Sequence, residues 1–195
     1  NTVTMGNSIV SVANKTSIYN SKFIANKATK DSSYSSAIGI SGSSDQTVTM
    51  DVFNCYFENN TCQGDEGSTA VAGAHSIMNV TNSVFLRNDD KPFFTYSAPD
   101  YGAKAILNGN YWGSNNPLED GAVVIEGEEY DDWDDEWITT QYDVTCDNWV
   151  VINTEVTQFE NSNMKYNVVT AASSMDTNGQ TSELTQSLPD YLDVN

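Results

Sequence analysis

A single pattern of aromatic and asparagine residues recurs four times within the first 118 residues. Its aromatic position is occupied by Phe23, Phe57, Phe85 and Tyr111, at intervals of 34, 28 and 26 residues. An asparagine stands three positions before each aromatic, at Asn20, Asn54, Asn82 and Asn108. Another asparagine stands three positions after the first three aromatics, at Asn26, Asn60 and Asn88, and the fourth copy has Ser114 with Asn115 beside it. A recurrence of this length predicts a solenoid in which each copy forms one coil.

Each copy predicts short β-strands joined by polar corners. Runs such as 17–26 and 52–60 are rich in β-branched and aromatic residues and show no helical period. A second apolar stretch lies at 37–40, 70–73 and 93–96. Coils stacked at the strand spacing of about 4.8 Å would place the four aromatic rings in one interior column. The asparagines would hydrogen-bond from coil to coil, at corners whose left-handed backbone asparagine tolerates.

Three tetrapeptides carry a family resemblance: Phe23-Ile24-Ala25-Asn26, Phe57-Glu58-Asn59-Asn60 and Phe85-Leu86-Arg87-Asn88. They resemble the FxxN half of the GGAI/FxxN repeats of polymorphic outer-membrane proteins, and 36–39 and 69–72 look like weakened GGAI halves. The run Asn108-Gly109-Asn110-Tyr111-Trp112-Gly113-Ser114-Asn115-Asn116-Pro117 is similar to a closing segment in adhesin-like surface proteins of methanogenic archaea. In those proteins it ends a right-handed parallel β-helix that precedes immunoglobulin-like repeats. The resemblance implies an all-β chain with a right-handed parallel β-helix followed by a partial immunoglobulin-like β-sandwich.

The charge changes sharply after this motif. Residues 1–118 carry 9 acidic and 7 basic side chains, whereas residues 119–195 carry 18 acidic side chains and a single base, Lys165. Ten of the eighteen residues from 119 to 136 are acidic. We therefore expect β-helix coils over 1–118, an acidic connector over 119–147 and the N-terminal part of an immunoglobulin-like domain over 148–195.

The last segment predicts three β-strands, at 149–156, 164–171 and 181–186, with a turn at Asn178-Gly179. An immunoglobulin-like sandwich needs about seven strands, so we interpret the chain as a segment of a longer protein. Three strands with one apolar face cannot bury that face alone. We therefore expect residues 148–195 to lean on the β-helix or to share strands with a partner.

The sequence contains few residues of the kinds that catalytic sites require. His75 is the sole histidine, so neither a Ser-His-Asp triad nor a multi-histidine metal site can be assembled without it. The acids of residues 1–118 are scattered, and only Asp65-Glu66 and Asp89-Asp90 are close in sequence. A lyase cleft for an anionic sugar would also need basic side chains, and this part of the chain has one arginine. We therefore expect no enzymatic activity; the alternative is a carbohydrate-active β-helix enzyme, a polysaccharide lyase or glycoside hydrolase, whose catalytic coils lie upstream.

Two groups of residues are candidate binding sites. Trp112, Trp133 and Trp137 offer rings that could stack on sugars, and the alternative is that they pack against the end of the β-helix. Asp131, Asp132, Asp134 and Asp135 offer oxygen ligands for Ca²⁺, the one cofactor that the sequence suggests. Their spacing matches no calcium motif, so the alternative is a solvated acidic loop.

The chain has three cysteines, Cys55, Cys62 and Cys146, so at least one thiol has no disulfide partner inside the chain. We expect Cys55 to be a small buried residue that fills space in the core.

Charge and hydropathy limit the partners. A formal net charge of −19 disfavours nucleic acid and anionic membranes. No apolar run is long enough to insert into a bilayer. Together with the resemblance, these features predict an extracellular, non-enzymatic cell-surface adhesin or surface-architecture module that binds a glycan or a cell-surface protein.

Overall fold

The computed structural model describes residues 2–3, 10–12, 14–29, 35–64, 68–88, 93–95, 101–131, 133–158 and 166–189. Within these ranges every regular element is a β-strand, which confirms the all-β expectation. We number the strands β1 to β20 in chain order. The described part of the chain contains no helix with the length and apolar character that a bilayer crossing requires.

Four of the sheets are parallel. The largest has the order β17-β14-β11-β7-β3, with β3 (Lys15–Tyr19), β7 (Val48–Phe53), β11 (Ser76–Thr81), β14 (Lys104–Ile106) and β17 (Val144–Thr145). A second contains β2 (Val10–Val12), β6 (Ser35–Ile40), β10 (Ser68–Ala72) and β13 (Phe93–Thr95). The third contains β4 (Lys22–Ile24), β8 (Tyr56–Glu58) and β12 (Val84–Leu86), and the fourth contains β1 (Thr2–Val3), β5 (Lys27–Ala28) and β9 (Thr61–Cys62).

Alternating burial places one face of the largest sheet in the core. In β7 and β11 every second residue is buried, so that Met50 and Met78 point inward while Asp51 and Asn79 point outward. This is the period of two that a half-buried strand requires. In β6 and β10 the side chains of all residues are buried, and these strands close the core on another side.

An aromatic column runs through this core. Phe23 stacks on Phe57 with ring centroids 4.9 Å apart, and Phe57 stacks on Phe85 at 4.5 Å. These three positions confirm the sequence prediction, but Tyr111 is wrong as the fourth member. Trp112 takes that place, 4.5 Å from Phe85. The fourth copy is shifted by one residue relative to the sequence prediction. Tyr111 bridges Val84, the residue before Phe85, so Trp112 lies beside Phe85.

The asparagine corners are left-handed. Asn20, Asn54 and Asn82 have φ values of 51°, 55° and 49°. The Asn54 amide donates to Asn20 Oδ1 at 2.6 Å, and the Asn82 amide donates to Asn54 Oδ1 at 3.1 Å. These contacts confirm the expected corner geometry for three copies. In the fourth copy the predicted corner at Asn108 is wrong by the same one-residue shift. Gly109, with φ of 72°, takes the left-handed position there.

The second asparagine row forms a buried ladder. Asn26 Nδ2 donates to Asn60 Oδ1 at 2.7 Å, and Asn60 Nδ2 donates to Asn88 Oδ1 at 2.9 Å. Asn115 does not extend this ladder. Its side chain instead pairs with the backbone of Ile152, accepting from its N–H at 2.8 Å and donating to its carbonyl at 3.0 Å.

The remaining strands are antiparallel. A hairpin joins β15 (Glu126–Asp131) and β16 (Glu136–Gln141), and a further sheet has the order β18-β19-β20, with β18 (Asn148–Gln158), β19 (Tyr166–Asp176) and β20 (Thr181–Ser182). The three predicted strands therefore exist with shifted bounds; Met164 lies outside the described residues. β19 extends beyond the predicted end at residue 171 and reaches Asp176, where a tight turn begins. In that turn Gly179 has φ of 75°, and Asp176 Oδ1 accepts from the N–H groups of Asn178 and Gln180.

The antiparallel sheet β18-β19-β20 leans on the parallel ones. Trp149 and Val151 of β18 are buried in the same apolar cluster as Phe85 and Trp112. Val123 and Cys146, from the stretch expected to be a connector, are in that cluster too. The boundaries at 118 and 147 stay a prediction. Toward its other end the sheet carries the exposed side chains of Val156, Val168 and Val169.

Candidate functional site

A cleft of about 490 Å³ lies beside the corner edge of the largest sheet. One side consists of residues at or just past the ends of parallel strands: Phe53, Thr81, Asn82, Asn108 and Gly109. Asn148 and Val150 of β18 and Ser174 of β19 line a second side. The segment 182–186 lines the third. We call this site the corner cleft.

The parallel register explains why the first side exists. Phe53 is paired with Tyr19 on one neighbouring strand and with Thr81 on the other. Because parallel strands in register end at the same edge, the residues before successive corners form one row across the outer face. Asn108 continues this row as the residue before Gly109. The sequence thus places an aromatic ring, a hydroxyl and an amide side by side.

Hydrogen bonds hold the other two sides against this row. Asn108 Oδ1 accepts from the Asp147 N–H at 2.7 Å, and the Gly109 N–H donates to the Asn148 carbonyl at 3.0 Å. The Asn82 amide donates to the Ser187 carbonyl at 3.0 Å, which fixes the segment 182–186 beside the corner. The cleft is therefore bounded by contacts between parts of the chain that are distant in sequence.

The lining of the corner cleft is polar and almost uncharged. Among the described residues that line it, Glu183 is the only ionisable one. Ser174, Ser182 and Gln186 belong to this lining, and their side chains make no hydrogen bond within the described chain. Phe53 adds an apolar ring that is half-buried and meets the Tyr19 ring edge-on, with centroids 6.3 Å apart. Amides, hydroxyls and one aromatic face are the groups that bind a polyhydroxylated ligand.

The predicted tryptophan site is not assembled. Trp112 is 3% exposed and stacks on Phe85, so its ring is part of the core and is closed to a ligand. Trp133 and Trp137 lie in the β15–β16 hairpin and are 92% and 68% exposed. The alternative that these two rings pack against the end of the parallel sheets stays a prediction. Ligand contact by Trp133 and Trp137 stays a prediction, and neither residue lines the corner cleft.

Three of the predicted calcium ligands, Asp131, Asp134 and Asp135, lie at the tip of the same hairpin. Asp131 Oδ1 accepts from the Trp133 N–H at 2.8 Å, so this carboxylate stabilises the turn. Asp135 occupies a left-handed position with φ of 57°. Asp132 lies outside the described residues. Among the residues that the structure describes, no group of three His, Cys, Asp or Glu side chains is placed to hold a metal ion. Calcium binding here stays a prediction.

His75 occupies a structural corner. It has φ of 51°, its N–H donates to the Tyr101 carbonyl at 2.7 Å, and its carbonyl accepts from the Val48 N–H at 3.0 Å. The position is equivalent to the asparagine corners at the other end of the strands. Its backbone therefore links the turn before β11 to Val48 of β7 and to Tyr101.

Two of the three thiols are buried. Cys55 fills the small inward position that the sequence predicted, and burial raises the pKa of its thiol. Burial, with the adjacent Asp147 carboxylate, raises the pKa of Cys146 to about 12. A protonated buried thiol is a poor nucleophile, so both are structural residues.

Sequence reasoning missed the corner cleft. Its one available signal was the position directly before each corner asparagine, where Tyr19, Phe53 and Thr81 stand. Nothing in the run 182–186 indicates that it folds back on that row. Comparison with models of known protein families, with curated proteins and with solved structures found no match.

Proposed function

We propose that this chain is a non-enzymatic, extracellular cell-surface module of the adhesin type, which binds a glycan or another cell-surface partner. The observation that carries this proposal is the corner cleft, whose lining combines amides, hydroxyls and an aromatic ring with a single carboxylate. Glycoside hydrolysis commonly uses two carboxyl groups that flank the scissile bond. A site with one carboxyl group favours binding over hydrolysis.

The fold that we propose for the binding module is a right-handed parallel β-helix. The in-register parallel pairs and the ring stack of Phe23, Phe57 and Phe85 support it, because equivalent residues of successive coils lie one strand spacing apart. We propose that β18, β19 and β20 belong to an immunoglobulin-like sandwich. Such a solenoid carries an exposed row of side chains along each face, and a surface protein can use that row for recognition.

A second contact of the proposed module is strand sharing through residues 148–195. Val156 and Val168 are directly paired across β18 and β19, and both are exposed. β20 pairs only with Ser174 and Met175, so the rest of the β19 edge is not covered by β20. An edge with exposed β-branched side chains can accept a further strand from a partner.

A binding screen tests the proposed function. The chain, labelled at its N-terminus, is applied to a glycan array and to whole cells, with and without a calcium chelator. We expect saturable binding to a defined set of glycans or to a cell surface. The double variant Trp133→Ala and Trp137→Ala separates the hairpin from the corner cleft as the binding site.

Two results would contradict the proposal. Release of reducing ends or unsaturated products from a polysaccharide would support the carbohydrate-active enzyme instead. Absence of saturable binding to every glycan and cell type, with the chain folded, would leave a purely structural spacer. Loss of binding only in the presence of chelator would support the calcium prediction for the hairpin acids.

A further inference from the structure

We infer that the corner cleft selects a short, uncharged oligosaccharide, whose sugar ring stacks on Phe53 and whose hydroxyls hydrogen-bond to Gln186, Ser174 and Ser182. This inference rests on the proposed glycan binding and names the class of glycan.

The size of the cleft limits the length of the ligand. Its volume of about 490 Å³ falls in the lower half of the range of roughly 300–1,000 Å³ that small-molecule sites occupy. Segment 182–186 bounds it on one side and β18 and β19 on another. The enclosed space therefore fits a glycan of a few sugar units, while a longer polymer would need to leave through the open side.

Charge excludes acidic sugars. The lining contains the Glu183 carboxylate and no lysine or arginine. A uronate or sulfate group entering this cleft would lose hydration beside a like charge and gain no cation in exchange. Glu183 itself is exposed, so an uncharged sugar does not force it out of water.

Apolar surface is available for one sugar face. Phe53 lies between Tyr19 and Thr81 on the outer face of the sheet, and its ring is half-buried. Tyr19 is 54% exposed and extends the aromatic surface beyond the cleft. A pyranose ring buries its C–H face on such a surface, whereas its hydroxyls point outward toward polar partners.

Polar groups without partners in the described chain line the same cleft. The Gln186 amide supplies two donors and an acceptor, and the hydroxyls of Ser174 and Ser182 each supply one donor and two acceptor lone pairs. Sites that hydrogen-bond ligand hydroxyls discriminate strongly against analogues that lack them. The combination matches a neutral glycan, which carries many hydroxyls and no charge.

Titration calorimetry with defined disaccharides tests the inference. The neutral probes are cellobiose, mannobiose, lactose and N,N′-diacetylchitobiose; digalacturonate is the anionic probe and chitosan dimer the cationic one. We expect at least one neutral probe to bind at millimolar concentration or tighter, and the anionic probe to bind at least about tenfold more weakly, because the Glu183 carboxylate repels it. Phe53→Ala and Gln186→Ala should each weaken the neutral probe by about tenfold.

Matched controls keep the test interpretable. Tyr101→Ala removes an exposed aromatic ring outside the cleft, and Gln180→Ala removes an exposed amide in the β19–β20 turn. Both should bind as the wild type does. Gln186 is exposed, so its variant keeps the fold even if Phe53→Ala proves unstable.

Three results would overturn the inference. They are preferential binding of a charged probe, wild-type affinity in Gln186→Ala, and no binding of any neutral probe. If the array or the cells still bind the chain in those cases, the proposed function stands and only the neutral-glycan site is wrong. If the array and cells bind nothing, the proposed function fails with it.

Discussion

Phe57 is the residue on which the core depends most directly. It is fully buried, and its ring is stacked between those of Phe23 and Phe85. Truncation of such a ring removes its transfer free energy and leaves a cavity. We expect Phe57→Ala to lower the free energy of unfolding by about 3–5 kcal/mol, measured by urea denaturation.

The control for this change is Tyr101→Ala, since Tyr101 is 59% exposed. Its effect should stay within about 0.5 kcal/mol. Equal effects of the two substitutions would show that the stacked column is not the core.

The thiols give a pH-dependent prediction. The pKa of Cys146 is raised from 9.0 to about 12 in the folded protein. Because the unfolded thiol ionises first, this group's contribution to stability is complete below pH 9 and is lost as the pH rises toward 12. We expect the melting temperature to fall over that interval, and Cys146→Ala to remove part of the fall.

Thiol labelling checks the same assignment. At pH 8 a maleimide should label folded protein at Cys62, which is partly exposed, while the buried Cys55 and Cys146 react only in denaturant. Rapid labelling of Cys146 in the folded chain would contradict its burial.

Single residues also show where sequence reasoning loses accuracy. With Tyr111 as the aromatic of the fourth copy, Asn108 stands three positions before it and Ser114 three after. With Trp112, Gly109 stands three before and Asn115 three after, so each register satisfies one of the two asparagine positions. The burial of Trp112 decides between them, and burial depends on Val84 and Phe85 of the neighbouring strand. An amino-acid pattern alone contains no information on that choice.

Among the elements, the ladder of Asn26, Asn60 and Asn88 offers the sharpest test. Asn60 is fully buried, accepts from the Asn26 amide and donates to the Phe23 carbonyl and to Asn88 Oδ1. Asn60→Ala leaves buried groups unpaired, each at a cost of about 1–3 kcal/mol. We expect a loss of at least about 2 kcal/mol in the free energy of unfolding.

Asn116→Ala is the matched control, because Asn116 is exposed and its side chain makes no hydrogen bond within the described chain. It should leave the denaturation midpoint unchanged. A small effect of Asn60→Ala, comparable to that of the control, would mean that the ladder contributes little.

The strands themselves were predictable, whereas the cleft was not. Alternation and the Asn178-Gly179 turn located β18, β19 and β20, because these signals are local. The corner cleft draws its sides from residues near 53, 81, 108, 148, 174 and 184. Only the pairing between sheets brings these together, and it is a long-range property.

At the scale of the whole molecule, the antiparallel sheet and the parallel sheets share one apolar cluster. Trp149 is buried in it, and its Nε1 donates to the Asn115 carbonyl at 2.9 Å. The prediction that residues 148–195 lean on the preceding part agrees with this contact. The cleft lies where the two meet, so its geometry depends on both.

A nuclear magnetic resonance titration of the ¹⁵N-labelled chain tests the central claim, glycan binding at the corner cleft, most directly. The ligand is the neutral disaccharide that binds best in the calorimetric panel. We predict saturable shifts of the backbone amides of Phe53, Asn82 and Asn108 and of the Gln186 side-chain amide, with the indole signals of Trp133 and Trp137 unchanged. Shifts confined to those two indoles, or no saturable shift at the cleft, would contradict the account.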